Sequence, residues 1–545
     1  MIPIYPTDQE WPPASESTAL RLYREHGAWY GGDPDELQTV YSGSQANIVA
    51  ATAPRSGGLR GVLSRFWWGK TESLTQVTTR LHVPIAADLS TLSADLLYAD
   101  LPQFRIPAEA EDGKLSTAEK KLQTALDKIV DESGLAFVLP ESAEIGSAYG
   151  GRYIGTRVDV TVSPDSPMFY TIPPDAAVPE WRYGRLVAVT FWRVVDGPVR
   201  QKVWRHLERH EVVGGQAMIY HALFCGSEVK LGMVQELTLS EATRDLASKV
   251  DTYGGIEAGC TVLDVQYVPN IRPHRLIRGS ALGRSDYSGA EITMDALDET
   301  MSSWQRDIRN GKGRILVPPE YLTSLGKGQG SEFDVEREVF QKINMFDPSG
   351  GAIKPEVVQF AIRTADHAAT CAQHVRTIVR AAGLSQGSFG EEVDGGQATA
   401  KEVGERKSRT TATRAKKISY ETFALRMILF AAMEQAQRLI GGTAYQGIAP
   451  KRPDIEFADA AAPDMQTLAL TIKTISDAKA ASTQTLVEML HPEWDEERVL
   501  AEVAKIEDVQ ADPDQFDGGF GGGAGGGEIP PGGDDEEDDT EPSAR

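Results

Sequence analysis

Gly383-Leu384-Ser385-Gln386-Gly387 has the G-x-S-x-G spacing of a nucleophile elbow, in which a serine on a sharp turn attacks an acyl carbon. That elbow needs a strand before the serine and a helix after it. Here a helical pattern precedes the serine and a Gly-rich stretch follows, so a hydrolase is not expected. His206-Leu207-Glu208-Arg209-His210 resembles a zinc-protease motif in composition only. Alternation of Val203, Arg205, Leu207 and Arg209 predicts a strand, on which residues four apart stand about 14 Å from each other. The two histidines are then too distant to share an ion, and a structural or exposed pair is expected. His367, Cys371 and His374 are spaced to share one helix face with zinc-type donors. No fourth ligand stands out, and Cys371 continues an Ala-rich face, so a packed helix is the preferred reading. Gly113-Lys114-Leu115-Ser116 lacks the upstream glycine of a phosphate loop, and Gly146–Gly155 lacks the closing Lys-Ser/Thr. No catalytic residue, metal or cofactor is assigned, and any motor must be another protein.

Three helical patterns flank these candidates. The first, in 286–311, opens at Ser288-Gly289-Ala290-Glu291 with capping-box spacing. It carries Met294, Leu297, Met301, Trp304 and Ile308 as one stripe and stops at Asn310-Gly311. The second, 355–383, is read from Pro355 at a first-turn position to Gly383, with Val358, Ile362, Ala365, Ala369, Ala372, Val375, Val379 and Ala382 inward. A Gly-rich loop, 384–398, leads to the third, 399–440. Its latter half holds Ile418, Thr422, Leu425, Leu429, Ala432, Ala436 and Leu439 at heptad-like spacing.

Ala296–Trp304 running into Arg306–Val317, then Ala382-Gly383-Leu384-Ser385 with Phe389-Gly390, then Thr399-Ala400-Lys401-Glu402-Val403 resemble, in order and spacing, the portal proteins of long-tailed bacteriophages. Lys401 departs from the family's usual Thr-Ala-Thr-Glu-Val. The resemblance covers most of 20–510 and is most specific across 290–440. It implies an α+β portal fold. The N-terminal wing would be 1–285, the stem helices 286–311 and 355–383, and the clip 312–354. A tunnel loop at 384–398 would lead into the long channel helix 399–440, followed by a wing return at 441–462 and a crown at 463–510. It further implies a homo-oligomeric ring, expected as a dodecamer, at one capsid vertex of the virion, assembled in the host cytoplasm. The ring would pass double-stranded DNA and dock the terminase large subunit, major capsid and scaffolding proteins, and head-completion adaptors. Leu384, Ser385, Gln386, Ser388 and Phe389 would line the tunnel, and Arg314, Tyr321 and Lys327 would belong to the terminase-docking clip. Lys401, Arg406, Lys407 and Arg409 begin a basic segment, Thr399–Lys417, completed by Arg414, Lys416 and Lys417 against Glu402 and Glu405. Its charges either pair with acidic surface on the same or a neighbouring chain or meet DNA. The first is preferred, because strong phosphate contacts from every subunit would oppose sliding. An ATPase or hydrolase and a non-portal capsid scaffold are the competing classes.

Composition agrees with this frame. The formal charge is −24, and 511–545 contribute eleven acidic residues against Arg545. Such a balance argues against a broad basic DNA-gripping face. Three distant cysteines suit a reducing cytoplasm, no leader is read at the prolines of Met1–Pro6, and no run spans a membrane. Trp11, Trp29, Tyr30 and Phe66-Trp67-Trp68 are read as an internal core cluster, with a subunit contact the alternative. Helices are expected at Leu89–Leu97 and, from a Ser116/Glu119 capping box, at 116–133. Strands are expected at 135–139, 157–162, 185–193, 202–213 and 217–224 as an antiparallel meander. A short strand is expected at 454–457, three helical pieces in 464–508, and a disordered tail from 511.

Overall fold

The computed structural model describes residues 7–41, 80–110, 114–199, 201–310, 314–316, 323–324, 331–332, 356–358, 362–389, 400–441, 445–447, 449–458, 465–491, 494 and 496–511. The fold is α+β, as the sequence implies, and divides into two compact units, Met1–Ala460 and Ala461–Arg545.

In the first unit, helices α1 (Ser17–Gly31), α2 (Ile85–Tyr98), α3 (Thr117–Glu132) and α4 (Leu135–Tyr149) precede the strands. The Ser116/Glu119 box forms as read: the Ser116 hydroxyl accepts the Glu119 N–H, and Glu119 reaches back to the Ser116 N–H. Residues 135–139 are helical, not a strand. Leu135, Val138 and Leu139 are buried at one-turn spacing while Phe137 is exposed, so the run is the first turn and a half of an amphipathic helix. The strand expected at 157–162 lies earlier, at β1 (Gly151–Arg157). Its glycines allow close approach: a Cβ at Gly151 would fall 2.1 Å from the Tyr267 hydroxyl. Val160 and Val162 are exposed beyond its end.

β1 sits between β2 (Met168–Ile172) and β9 (Val265–Pro269) in one antiparallel sheet. The larger sheet runs β3 (Ala177–Arg182), β4 (Arg185–Val195), β5 (Val203–Val213), β6 (Gln216–Gly226), β7 (Met233–Gln235), with β8 (Gly255–Glu257) also on β6. Every pairing is antiparallel, so the expected meander is present. Trp11 and Trp29 are buried in two separate cores, not one aromatic cluster. Phe66, Trp67 and Trp68 lie outside the described residues.

Helix α5 is Glu291–Asn310 and α6 is Thr364–Ala382. The Ser288 capping box does not form. Gly289 is left-handed (φ 91°), which ends any helix running back to Ser288, and Glu291 itself opens α5 while accepting the Gly289 N–H. α6 starts nine residues after Pro355, because Glu356–Val358 pairs as a strand with Arg314–Leu316. Only the C-terminal part of the stripe read for α6 is buried: Val379 and Ala382 are covered, while Ile362, Ala365 and Ala369 are exposed. A second short pair joins Thr323–Ser324 to Ser331–Glu332. The long helix α7, Ala400–Gln435, continues in a π-helical turn, Ala436–Ile440. Leu425, Leu429, Ala432 and Ala436 are fully buried against α2, α3, α4 and β9, although Leu439 is exposed. Asp454–Glu456 forms the expected strand, on Gln103–Arg105.

The second unit holds three consecutive helices, α8 (Met465–Asp477), α9 (Thr483–Leu490) and α10 (Glu496–Ala511), with Ser482 capping α9 as read. α10 begins four residues after Pro492. The expected disordered tail, from 512 on, lies outside the described residues. Among the described residues, no helix is long and apolar enough to cross a membrane.

Candidate functional site: a helix pair, its turn and the long helix

α5 and α6 pack antiparallel. Asp307 accepts from Arg363 (3.0 Å) and meets His367 Nε2 (3.0 Å), Cys371 Sγ meets Met301 Sδ (3.5 Å), and Met294 and Leu297 share a core with Ile378 and Val379. The His367 hydrogen bond and then the Arg363 guanidinium hold the Asp307 carboxyl below its ordinary value. Trp304 lies nearly parallel to the His367 ring, 9° apart in plane. His367 is therefore a packed, paired side chain, as the preferred reading of the His367/Cys371/His374 set has it.

A cleft of about 1230 Å³ beside this pair is lined by Arg80, Ser302, Arg306, Arg309, Arg363 and His374. Asp298, inside one of the quoted motifs, anchors the chain from across the fold. Its buried carboxylate accepts from Tyr41 Oη (2.5 Å) and the Val83 N–H (2.8 Å) and meets His82 Nδ1 (2.9 Å). Burial first, then this carboxylate, raises the Tyr41 hydroxyl far above its usual value. Asp298 carries no local signature, because its partners lie more than 200 positions away.

The turn after α6 is closed by a Schellman motif. Gly383 is left-handed (φ 82°), its N–H donates to Arg380 O, and the Leu384 N–H donates to Val379 O. Leu384 is buried in the core it shares with Val379. The turn is then bonded to α7: Thr413 donates to Gly383 O (2.8 Å), the Ser385 N–H donates to Thr410 Oγ1 (2.9 Å), and Thr410 donates to Ser385 Oγ (3.1 Å). Ser385 thus follows a helix and bonds to threonine, unlike an elbow nucleophile. Gln386 opens a 3₁₀ turn, Gln386–Phe389, and Phe389 packs partly buried against the same core. The side chain of Ser388 and residues 390–399 lie outside the described residues.

On α7, Lys417 Nζ binds Asp286 Oδ2 (2.6 Å) and Ser93, with Asp286 also accepting from Ser147 and Asn270. Arg414 donates to Leu96 O (2.5 Å) and Ala458 O (2.7 Å). One turn beyond Lys417, both Glu421 oxygens accept from Arg152 Nη2 (2.7 Å each), and Tyr98 Oη donates at 2.9 Å. Two members of the basic segment, Arg414 and Lys417, are therefore satisfied within this chain. Arg409 is exposed, and the side chains of Lys401, Arg406 and Lys407 lie outside the described residues. Arg314 is on the Arg314–Leu316 strand, its side chain outside the described residues, as are Tyr321 and Lys327 entirely.

The His206/His210 pair is buried, at 2% and 0% exposure, not exposed. The two do part, as the strand spacing requires. His210 Nδ1 faces Asp264 (3.0 Å) and its Nε2 faces Glu208 Oε1 (3.2 Å). Burial alone would depress His210, but Asp264 and then Glu208 push it up to about 9. His206 Nε2 instead meets His221 Nδ1 (3.1 Å), and burial lowers both imidazoles to about 4. His221 was missed in the sequence. Reading Gly214-Gly215 as a two-residue turn would have found it, since that register sets Glu208 opposite His221.

No family model matches this chain, and no curated protein does. Among solved structures, a chain described as "Virion of native gene transfer agent (GTA) particle" is similar over 77% of this chain and 94% of its own, at 12% identity and a TM-score of 0.39. At that level neither fold detail nor function carries over.

Proposed function

We propose that this chain is the ring-forming subunit of a phage-type portal, a structural channel for double-stranded DNA and not an enzyme. The observation that carries the reading is the unit just described: two antiparallel helices joined through short strand pairs, then a glycine-closed turn bonded to a 36-residue helix. Its order and motifs are those the portal resemblance requires. A single chain also leaves Ile292 (80%), Phe423 (50%) and Ile308 (41%) exposed on α5 and α7, surface that neighbouring copies would cover.

In this reading the turn at Leu384–Phe389 leads into the narrow collar, and Arg314, Tyr321 and Lys327 belong to the end that docks a terminase. Capsid, scaffolding and adaptor proteins would meet the outer faces at the virion vertex. DNA would slide past a ring whose net charge of −24 per chain offers little phosphate grip. Substituting Phe389 should permit ring assembly yet impair DNA packaging or retention. Wild-type packaging by that variant would remove Phe389 from the collar.

A further inference from the structure

The larger sheet carries a cluster that the channel reading does not use. Along β5, His206 and Glu208 are two apart and share one face, and across the ladder His221 on β6 stands directly opposite Glu208. His221 Nδ1 lies 3.1 Å from His206 Nε2 and 3.7 Å from Glu208 Oε2, and one donor atom from each of the three falls within 4.8 Å of the others. Ligands at about 2.0–2.2 Å from a common ion stand roughly 3–4 Å apart, so these donor separations are those of a metal centre. Among the described residues this is the group of three His, Cys, Asp or Glu side chains that converges in this way.

We propose that His206, Glu208 and His221 form a binding site for a divalent transition metal of the zinc class, with solvent as the fourth ligand. Two imidazoles and one carboxylate are a borderline donor set suited to zinc, cobalt or nickel, not to calcium or magnesium. The surroundings orient the ligands as outer shells of metal sites do. Glu208 Oε1 is already taken by His210 Nε2 and by Arg157 Nη1 (3.3 Å), which turns Oε2 toward His221. His210 is in turn held by both oxygens of the fully buried Asp264. The Glu208 side chain is 23% exposed, so the ion has a way in.

Without an ion the ring nitrogens that face the cluster bond to each other and to Arg193. Arg193 Nε donates to His206 Nδ1 (3.3 Å), which makes His206 Nε2 the protonated nitrogen and His221 Nδ1 its acceptor. The proton of His221 then sits on Nε2, which is buried without a partner. Metal binding moves the His206 proton to Nδ1, so the exposed Arg193 must swing away, and the two rings must rotate from their end-to-end hydrogen bond to face the ion.

The test uses the full chain, stripped with chelator and titrated with Zn²⁺ by calorimetry and with Co²⁺ by visible absorption. One ion per chain is expected, with Co²⁺ giving the intense bands of a four-coordinate site. His221→Ala should weaken binding about tenfold or more. Arg193→Ala, an exposed change that leaves the ligands in place, should tighten it. Cys371→Ser, on α6, should bind as the unaltered chain does. No stoichiometric binding by the unaltered chain would overturn the proposal. So would undiminished affinity in His221→Ala or a loss of binding in Cys371→Ser.

Discussion

Glu421 is 2% exposed, lies midway along α7, and has its charge matched by Arg152, itself 1% exposed, with Tyr98 completing the network. Lys417, one turn earlier, does the same with Asp286. Buried pairs of this kind add little over an apolar core, but removing one partner strands the other's charge in a low-dielectric interior. Glu421→Ala should therefore cost about 3–5 kcal/mol, and Lys417→Met should be comparably damaging. Replacing Arg152 and Glu421 together with apolar residues of similar volume should recover much of the loss. Urea melts of the three variants check this, and a double variant no better than the singles would show that the pair is not the unit. The long helix is thus fastened by charge at positions where the sequence displayed only a basic segment followed by one acidic residue. The preferred fate of its basic segment was pairing with acidic surface on the same or a neighbouring chain, and Lys417 does pair within the chain, though in its interior. Lys417 in fact points into the chain's own core, and only the position of Asp286, 131 residues away, decides that.

At the scale of elements, Gly383 has two reasons to be glycine. Its φ of 82° disfavours any side chain, and an added Cβ would stand 2.8 Å from Thr413 Oγ1. Gly383→Ala should cost about 1–2 kcal/mol and loosen the turn from α7, seen as faster amide exchange at Leu384 and Ser385. Unchanged exchange there would detach the turn from its Schellman closure. This glycine was legible because a helix stop is local, and so was the Ser116/Glu119 box. The Ser288/Glu291 spacing was the same signal but gave a different outcome. Gly289 is left-handed there, and His26, 265 residues earlier, meets Glu291 Oε1 at 3.4 Å. Residues 135–139 show the complementary difficulty. Five apolar residues fit a buried strand or a helix turn equally well, and only α2 and α3 packing on Leu135, Val138 and Leu139 selects the helix. Likewise Val358 reads as the inner face of a helix until Arg314–Leu316, some forty residues before it, supplies a strand to pair with.

For the whole molecule, the apolar surface of one chain points to what the sequence could express only as resemblance. Ile292 and Ile308 on α5 and Ile362 just before α6 are exposed, although α5 and α6 bury Met294, Leu297, Ile378 and Val379 in a shared core, and such uncovered apolar side chains are what a subunit awaiting copies of itself would present. Ile292→Asp should leave the chain folded with an unchanged melt as a monomer yet reduce assembly. Normal assembly would remove that side chain from the subunit contact. The ring itself is the central claim. Purified full-length chain examined by mass photometry and negative-stain microscopy should form closed cyclic particles. With twelve copies of 59.2 kDa the mass would be about 700 kDa, because a head-to-tail interface that closes must produce a ring. Monomers or dimers at every concentration, with no rings in the micrographs, would contradict the account.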